Sequence, residues 1–553
     1  MKKSVFLFLF LCIVIAAIEI SAYIFGGIYA IIASRLWIAM GIIFLFFSQY
    51  VIFRAIIADI KKKFFLGLLS LLYITLLTIV PIGSSMLAPL HHEATQQVSA
   101  ALENIKQADL NYTKPSFLGY PSRQYLIAAL PTILFGRSKI NLQLGYALPF
   151  LLGVFLLYAG LRNFLKEHFY GNYLSAFVII SIISFPYVIE FLRRYEQAIL
   201  PISFTMQTLG WMLLTIKKQT IRNALSLIWA GSMLATSYTP GLSSWALLLT
   251  FIVIFIIHSC IKRSAMPAIF WICCFMVILA FGLSSFQGRE DGLQKVDTGY
   301  LLNTNMQNAF EGYSIFFFAD KKLFLNPLLL LPIMIYIACS LLWFNKLPHF
   351  LISFWVLLTI AFSVYLKGYA SPPPILAIHR AMVIIPPLMT GLVVASVDFI
   401  SKNNIKLRKG FFHILFILII ISSLWHFNQI NHTVLPTPNA AYLTEDIVKQ
   451  TKVLGVSTKQ PVNIAIFSTN NDFISINDFL MYFFPKYNLL QDANSCLNNF
   501  DYSNDGIIYF DQTTCSQEIR DNKNFNRVGY FEKSQIAGND NTIMTKALYK
   551  TRN

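Results

Sequence analysis

The stretch "PLHHEATQQV", residues 89–98, places His91, His92 and Glu93 side by side at the exit of a long apolar run. Those residue types can move protons near neutral pH, since an unperturbed imidazole titrates at about 6.5. They could equally be the polar end of a solvated loop. A divalent metal is a third reading, but neighbouring helical residues point about 100° apart, whereas chelating pairs favour spacings of three or four. A second cluster occurs in "YVIEFLRRYEQAILPISF", where Arg193, Arg194 and Glu196 stand together at the end of an apolar run. A third is the pair His379–Arg380 in "AIHRAMVIIPPLMTGLVV". Each can be read as an interfacial charge cluster as well as a site.

The elements that must position these residues are membrane helices. The chain has 553 residues, of which 56% are hydrophobic and only 12% charged, and 49 are Phe. A soluble domain carries roughly 25% charged residues. About 20 apolar residues cross a ~30 Å hydrocarbon core. Runs of that kind are expected near 4–24, 36–57, 64–88, 138–161, 172–189, 197–216, 223–239, 242–261, 265–286, 326–345, 348–367, 379–399 and 411–428. This makes a mainly α polytopic bundle of about 13 spans. The first run follows a basic start, "MKKSVFLFLF". It is read as a retained helix and not a cleaved leader, because no small-residue cleavage site is clear. Glu19 falls near its far end and receives no role.

The net charge of +17 raises nucleic acid as a partner. The Lys and Arg residues, however, sit in short clusters between apolar runs, where they set topology. With Lys2 and Lys3 inside, alternation puts "RAIIADIKKK", "RNFLKEH", "KKQTIRN", "IKRSA", "FNKLPH" and "SKNNIKLRKG" inside as well, and all are basic. The same alternation puts three long polar segments outside: 89–137, 287–325 and the tail 429–553. The expected domains are therefore N-terminal helices 1–88, an outer loop with juxtamembrane helices 89–137, a helical core 138–428, and an extracytoplasmic α/β domain 429–553. In the tail, "PVNIAIFST" and "DGIIYFD" read as buried strands. Cys496 and Cys515 are both there and could form a disulfide, or be two buried thiols. The expected location is the inner (plasma) membrane, with the active face and tail domain periplasmic. No Walker motif, zinc-finger spacing or Gly-rich dinucleotide loop occurs, so ATP-driven transport has no support in this chain.

Residues 85–260, and more loosely to 400, resemble the GT-C membrane glycosyltransferases, especially the protein O-mannosyltransferase and lipid A aminoarabinose transferase branch. "HEA" stands where an acidic "DEA" is usual, "YPS" where "YPP" is usual, and "LFGRSKINLQLGYAL" where an FG turn and an Arg-bearing span follow. His92 replaces the usual Asp, Gln143 the usual Arg, and two extra spans precede the loop. The resemblance implies transfer of a sugar from a polyprenyl-phosphate carrier to an acceptor on the outer face. Such a reaction needs a base for the acceptor hydroxyl and cations for the departing phosphate. Glu93 is the first candidate base, with His92 as alternative, and Glu196 could share that duty or orient the acceptor. Arg380, His379, Arg123, Lys114 and Arg193 are candidate phosphate ligands, with Arg137 and Lys367 as further outer cations. No cofactor is implied, although a divalent metal is possible. A transporter or flippase, a polysaccharide ligase or polymerase, and a GT-C homologue without activity are the competing readings.

Overall fold

The structure is a computed structural model. It describes residues 2–83, 92–106, 122–168, 170–185, 188, 192, 199–236, 265–284, 318–319, 322–323, 327–339, 352–358, 382–403, 408–431, 462–467, 482–483, 487–490, 506–510, 525–532 and 545–551. The protein is mainly helical. The helices are α1 (Lys2–Phe25), α2 (Gly27–Lys61), α3 (Phe65–Gly83), α4 (His92–Lys106), α5 (Ser122–Phe135), α6 (Lys139–Phe164), α7 (Gly171–Ile183), α8 (Ile199–Lys217), α9 (Ile221–Ala235), α10 (Ala265–Ser284), α11 (Pro327–Cys339), α12 (Ile385–Lys402) and α13 (Lys409–Asn431). Among the described residues, α1, α2, α6, α8 and α12 are long and apolar enough to cross a membrane. Segments within α3, α7, α10 and α13 are apolar but shorter. The expected span 242–261 lies outside the described residues, as do 348–351 and 359–367 of the expected span 348–367.

Two span boundaries need correction. The second helix begins at Gly27 and not near residue 36, so α1 and α2 are joined by Gly26 alone. Gly26 and Gly27 have φ of 60° and 51°, a left-handed pair that lets the chain reverse without a loop. At 35 residues α2 is about 52 Å long, well beyond the hydrocarbon thickness, and Arg35 in its third turn is exposed. The late span expected from 379 starts its α-helix at Ile385, after a 3-10 turn Met382–Ile384, because Pro386 and Pro387 suit a first helical turn.

The side chains sort by solvent type. Phe6 and Ile13 on α1, Phe46 and Phe53 on α2, Leu69 and Leu72 on α3, and Ile414, Ile421 and Trp425 on α13 are all exposed. A contiguous apolar exterior is what lipid requires. The centre is α8, where Phe204, Met206, Leu209 and Trp211 are fully buried. Its hydroxyls are satisfied within the helix: Ser203, Thr205, Thr208 and Thr215 donate to the carbonyls of Ile199, Pro201, Phe204 and Trp211. The helix is therefore buried without orphaned hydroxyl donors.

Helices α6 and α8 meet through small residues, as membrane helices do when close approach supplies the packing. A methyl group on Gly160 would stand 2.6 Å from the Gly210 carbonyl oxygen, and one on Gly210 would stand 2.6 Å from that of Leu156. We expect Gly210→Val to push these backbones apart and destabilise the bundle by at least ~1–3 kcal/mol. Thermal unfolding in detergent measures this, and an unchanged midpoint would contradict the packing.

Contacts at the helix ends agree with the alternation read from the basic loops. At one end Asp59 meets Arg162, Lys217 reaches Glu167 at 3.1 Å, and His168 reaches Ser401 at 3.2 Å. At the other, α1, α5 and α10 converge. Strands β1 (Phe318–Ala319) and β2 (Lys322–Leu323) form a short antiparallel pair, and in the tail β3 (Val462–Phe467), β4 (Tyr487–Leu490), β5 (Gly506–Phe510), β6 (Phe525–Glu532) and β7 (Thr545–Thr551) form one sheet in the order β4-β3-β5-β7-β6. β3 pairs in parallel with β4 and β5, while β7 is antiparallel to β5 and β6. Both strands expected there occur, as β3 and β5.

Candidate functional site

The turn between α5 and α6 sets the geometry of the outer end. Gly136 closes α5 with φ 88°, a conformation that only glycine adopts freely, and its N–H bonds the Thr132 carbonyl. Ser138 caps α6 by accepting from the Asn141 N–H at 3.1 Å. Tyr482 from the tail seats in this turn. Its hydroxyl donates to the Ser138 carbonyl at 2.9 Å and accepts from Thr132 Oγ1 at 2.9 Å. Burial holds the Tyr482 phenol above its usual range, so it stays a donor. Arg137 donates to the Tyr482 carbonyl at 2.8 Å. That outer cation is thus engaged in docking the tail.

Helix α5 has an inverted arrangement. Arg123, Gln124 and Thr132 are buried, while Leu130, Ile133, Leu134 and Phe135 are exposed. A helix at the edge of a bilayer turns its polar side inward in this way. Gly145 on α6 lets the two approach, since a methyl group there would fall 1.8 Å from the Ala128 carbonyl oxygen.

Of the candidate phosphate cations, Arg123 and Arg137 have described side chains, and Arg123 is fully buried. Its Nη2 donates to Glu19 Oε2 at 3.0 Å, and Glu19 is likewise 0% exposed. The Ser284 hydroxyl at the end of α10 donates to the same carboxylate oxygen. The Phe281 ring lies 5.1 Å from the guanidinium carbon. Three elements far apart in sequence therefore meet at one ion pair. Arg123 Nε and Nη1 and Glu19 Oε1 are buried without a hydrogen-bond partner among the described residues. Nearby in sequence, α6 carries Gln143, which is 2% exposed and whose Oε1 has no partner among the described residues.

Glu19 is the residue that sequence reasoning passed over. The signal was present: a carboxylate inside an apolar run requires a partner at its own depth, and Arg123 is an outer cation. The opposite end carries a second network. Asp59 accepts from Tyr158 Oη at 2.6 Å and from Arg162 Nε at 3.0 Å, with Arg162 Nη2 also on Asp59 and Nη1 on Asn172.

His92 and Glu93 are the first two residues of α4. Their side chains lie outside the described residues. So do His91, Lys114, Arg193, Arg194, Glu196, Lys367, His379, Arg380, Cys496 and Cys515. No group of three or more His, Cys, Asp or Glu that could hold a metal occurs among the described residues.

This order of membrane-length helices, with the shorter α4 and α5 set among them, defines a polytopic helical membrane fold. No protein-family profile matches the sequence, and no curated protein matches it. Solved structures do match in fold. ArnT from Cupriavidus metallidurans bound to undecaprenyl phosphate aligns with a TM-score of 0.53 and 11% identity, covering 87% of this chain and 97% of that one. The apo state of the same protein aligns with a TM-score of 0.52 and 11% identity, covering 89% and 98%. ArnT is a lipid A aminoarabinose transferase, so the neighbour falls in the branch that residues 85–260 resemble.

Proposed function

We propose that this protein is a membrane glycosyltransferase that moves a sugar from a polyprenyl-phosphate carrier to an acceptor hydroxyl on the outer face of the inner membrane. The observation that carries the reading is agreement in fold over 87% of the chain with a structure that holds undecaprenyl phosphate. The ordered short motifs from "HEA" to "LFG" support it independently. The carrier explains the setting: at ~0.8 kcal/mol per buried CH₂, a long isoprenoid tail stays in the bilayer and the enzyme must meet it there.

In the proposed reaction the bond between the sugar's anomeric carbon and the phosphate oxygen breaks, and the acceptor oxygen bonds to that carbon. The acceptor proton passes to Glu93, with His92 as the alternative base, and polyprenyl phosphate departs. Glu196 orients the acceptor. Arg380, His379, Lys114 and Arg193 supply positive charge to the phosphate, Arg through paired N–H donors. Arg123 stays on the donor side, in the role argued below. The tail sheet belongs to an extracytoplasmic α/β domain, in which Cys496 and Cys515 form a disulfide. The bundle has about 13 spans with its basic loops in the cytoplasm.

Purified protein in nanodiscs, given undecaprenyl phosphate carrying glucose, galactose, mannose or arabinose, tests the reading with envelope lipids and glycans as acceptors. Sugar loss from the carrier with release of undecaprenyl phosphate is expected. Binding of no carrier lipid, combined with movement of a solute or lipid between leaflets, would replace this reading with transport.

A further inference from the structure

We infer that the buried Glu19–Arg123 pair is the subsite for hydroxyl groups of the carrier's sugar, and not a ligand for its phosphate. The inference rests on the transferase reading and deepens it.

The pair is electrically balanced. Glu19 takes Arg123 Nη2 at 3.0 Å and both side chains have no exposed surface. An anion brought to this place meets a carboxylate as well as a guanidinium, so the net attraction that favours phosphate is gone. What remains is hydrogen-bonding capacity of both signs. Arg123 Nε and Nη1 are donors and Glu19 Oε1 is an acceptor, and all three are buried without a partner among the described residues. Folded proteins leave few buried polar atoms in that condition, and each calls for a ligand or water. A hydroxyl group donates and accepts at once, so adjacent sugar hydroxyls match this edge where a phosphate, with acceptors only, does not.

The surroundings fix the edge. Ser284 holds the Glu19 carboxylate from α10, and Phe281 stacks near the guanidinium at 5.1 Å. Ser284 is therefore a positioning residue, acting through Glu19, which itself holds Arg123 and offers Oε1 to the ligand. Glu19 and Ser284 also tie the N-terminal helix α1 and α10 to the outer-loop helix α5. Both side chains of the pair are 0% exposed, so a hydrogen bond made to them is weakly screened and correspondingly strong.

The test measures binding of bare undecaprenyl phosphate and of undecaprenyl phosphate carrying glucose, galactose, mannose or arabinose to the full chain in nanodiscs. Wild type is expected to hold at least one glycosylated carrier about tenfold tighter than the bare carrier. In Glu19→Gln/Arg123→Gln, which removes both charges and leaves polar side chains, that preference should vanish while bare-carrier affinity stays within about twofold. If this variant does not fold, Ser284→Ala decides: it keeps both charges and should cut the preference about threefold. Equal weakening of both lipids would assign Arg123 to the phosphate and overturn the inference. A preference unchanged in the folded variant would make the pair a structural tie, with the same consequence, as would a wild type that prefers no glycosylated carrier. Sugar preference without sugar transfer would sustain this subsite while removing the transferase reading. Failure to bind any carrier would remove both.

Discussion

Replacing Glu93 with Gln is expected to leave the lipid-linked donor bound and to lower sugar transfer about 10²–10⁴-fold, the contribution a positioned base usually makes. Glutamine keeps the size and the hydrogen-bonding reach of the side chain but cannot take the acceptor proton. Glu93 is the second residue of α4, where the exposed N–H groups of a helix start favour negative charge. That setting suits a carboxylate that must be ionised before it acts. His92→Ala and Glu196→Gln are the comparisons that assign the role. A larger loss in His92→Ala than in Glu93→Gln moves the base to the imidazole and gives the reaction a requirement for neutral histidine. Undiminished transfer in all three removes the proposed base from this part of the chain. Initial rates at saturating donor, with donor affinity measured separately, keep chemistry and binding apart.

The second large effect is structural and lies at the other end of the bundle. We expect Asp59→Ala to destabilise the protein by about 3–5 kcal/mol, because it strands a buried guanidinium. Arg162 is 8% exposed and Asp59 0%, so water cannot replace the lost partner. Tyr158 loses its acceptor in the same substitution, and it is also buried. The network ties the short turn after α2 to α6. The Phe64 N–H bonds the Asp59 carbonyl at 2.8 Å, the Phe64 ring lies 5.3 Å from the Arg162 guanidinium carbon, and Gly67 leaves room for the Tyr158 hydroxyl. Removing both charges in Asp59→Leu/Arg162→Met should recover most of the loss, since an apolar pair of similar volume needs no desolvation. Thermal unfolding of the single and double variants in one detergent gives the comparison. A single variant that unfolds at the wild-type temperature would mean that the ion pair contributes nothing net.

Much of the architecture was legible because lipid imposes a simple rule. Apolar runs must be helices, since no water is available to satisfy an open backbone, and basic residues collect on one side. The helix-end contacts fall where that alternation puts them: Asp59 with Arg162 and Lys217 with Glu167 at one face, Glu19 with Arg123 and Ser284 at the other. The turn at Gly136 was expected only from the family resemblance, and the structure ends α5 there with a positive φ. The second span was expected from residue 36, whereas its helix starts at Gly27, directly after the positive-φ Gly26.

By itself, then, the sequence determined a helical membrane protein, the common end shared by its basic helix termini, and two of the five strands of its tail. Those follow from hydropathy, charge and backbone chemistry, which act locally along the chain. Only the tertiary structure decided which charges are partners. It brought Glu19 to Arg123 across 104 positions and Asp59 to Arg162 across 103. It also committed Arg137 to Tyr482, so that one outer cation became a docking contact for the tail. Pairing of this kind depends on helix rotation and depth, which are set by packing between distant segments, and a charge in lipid takes whichever partner that packing delivers.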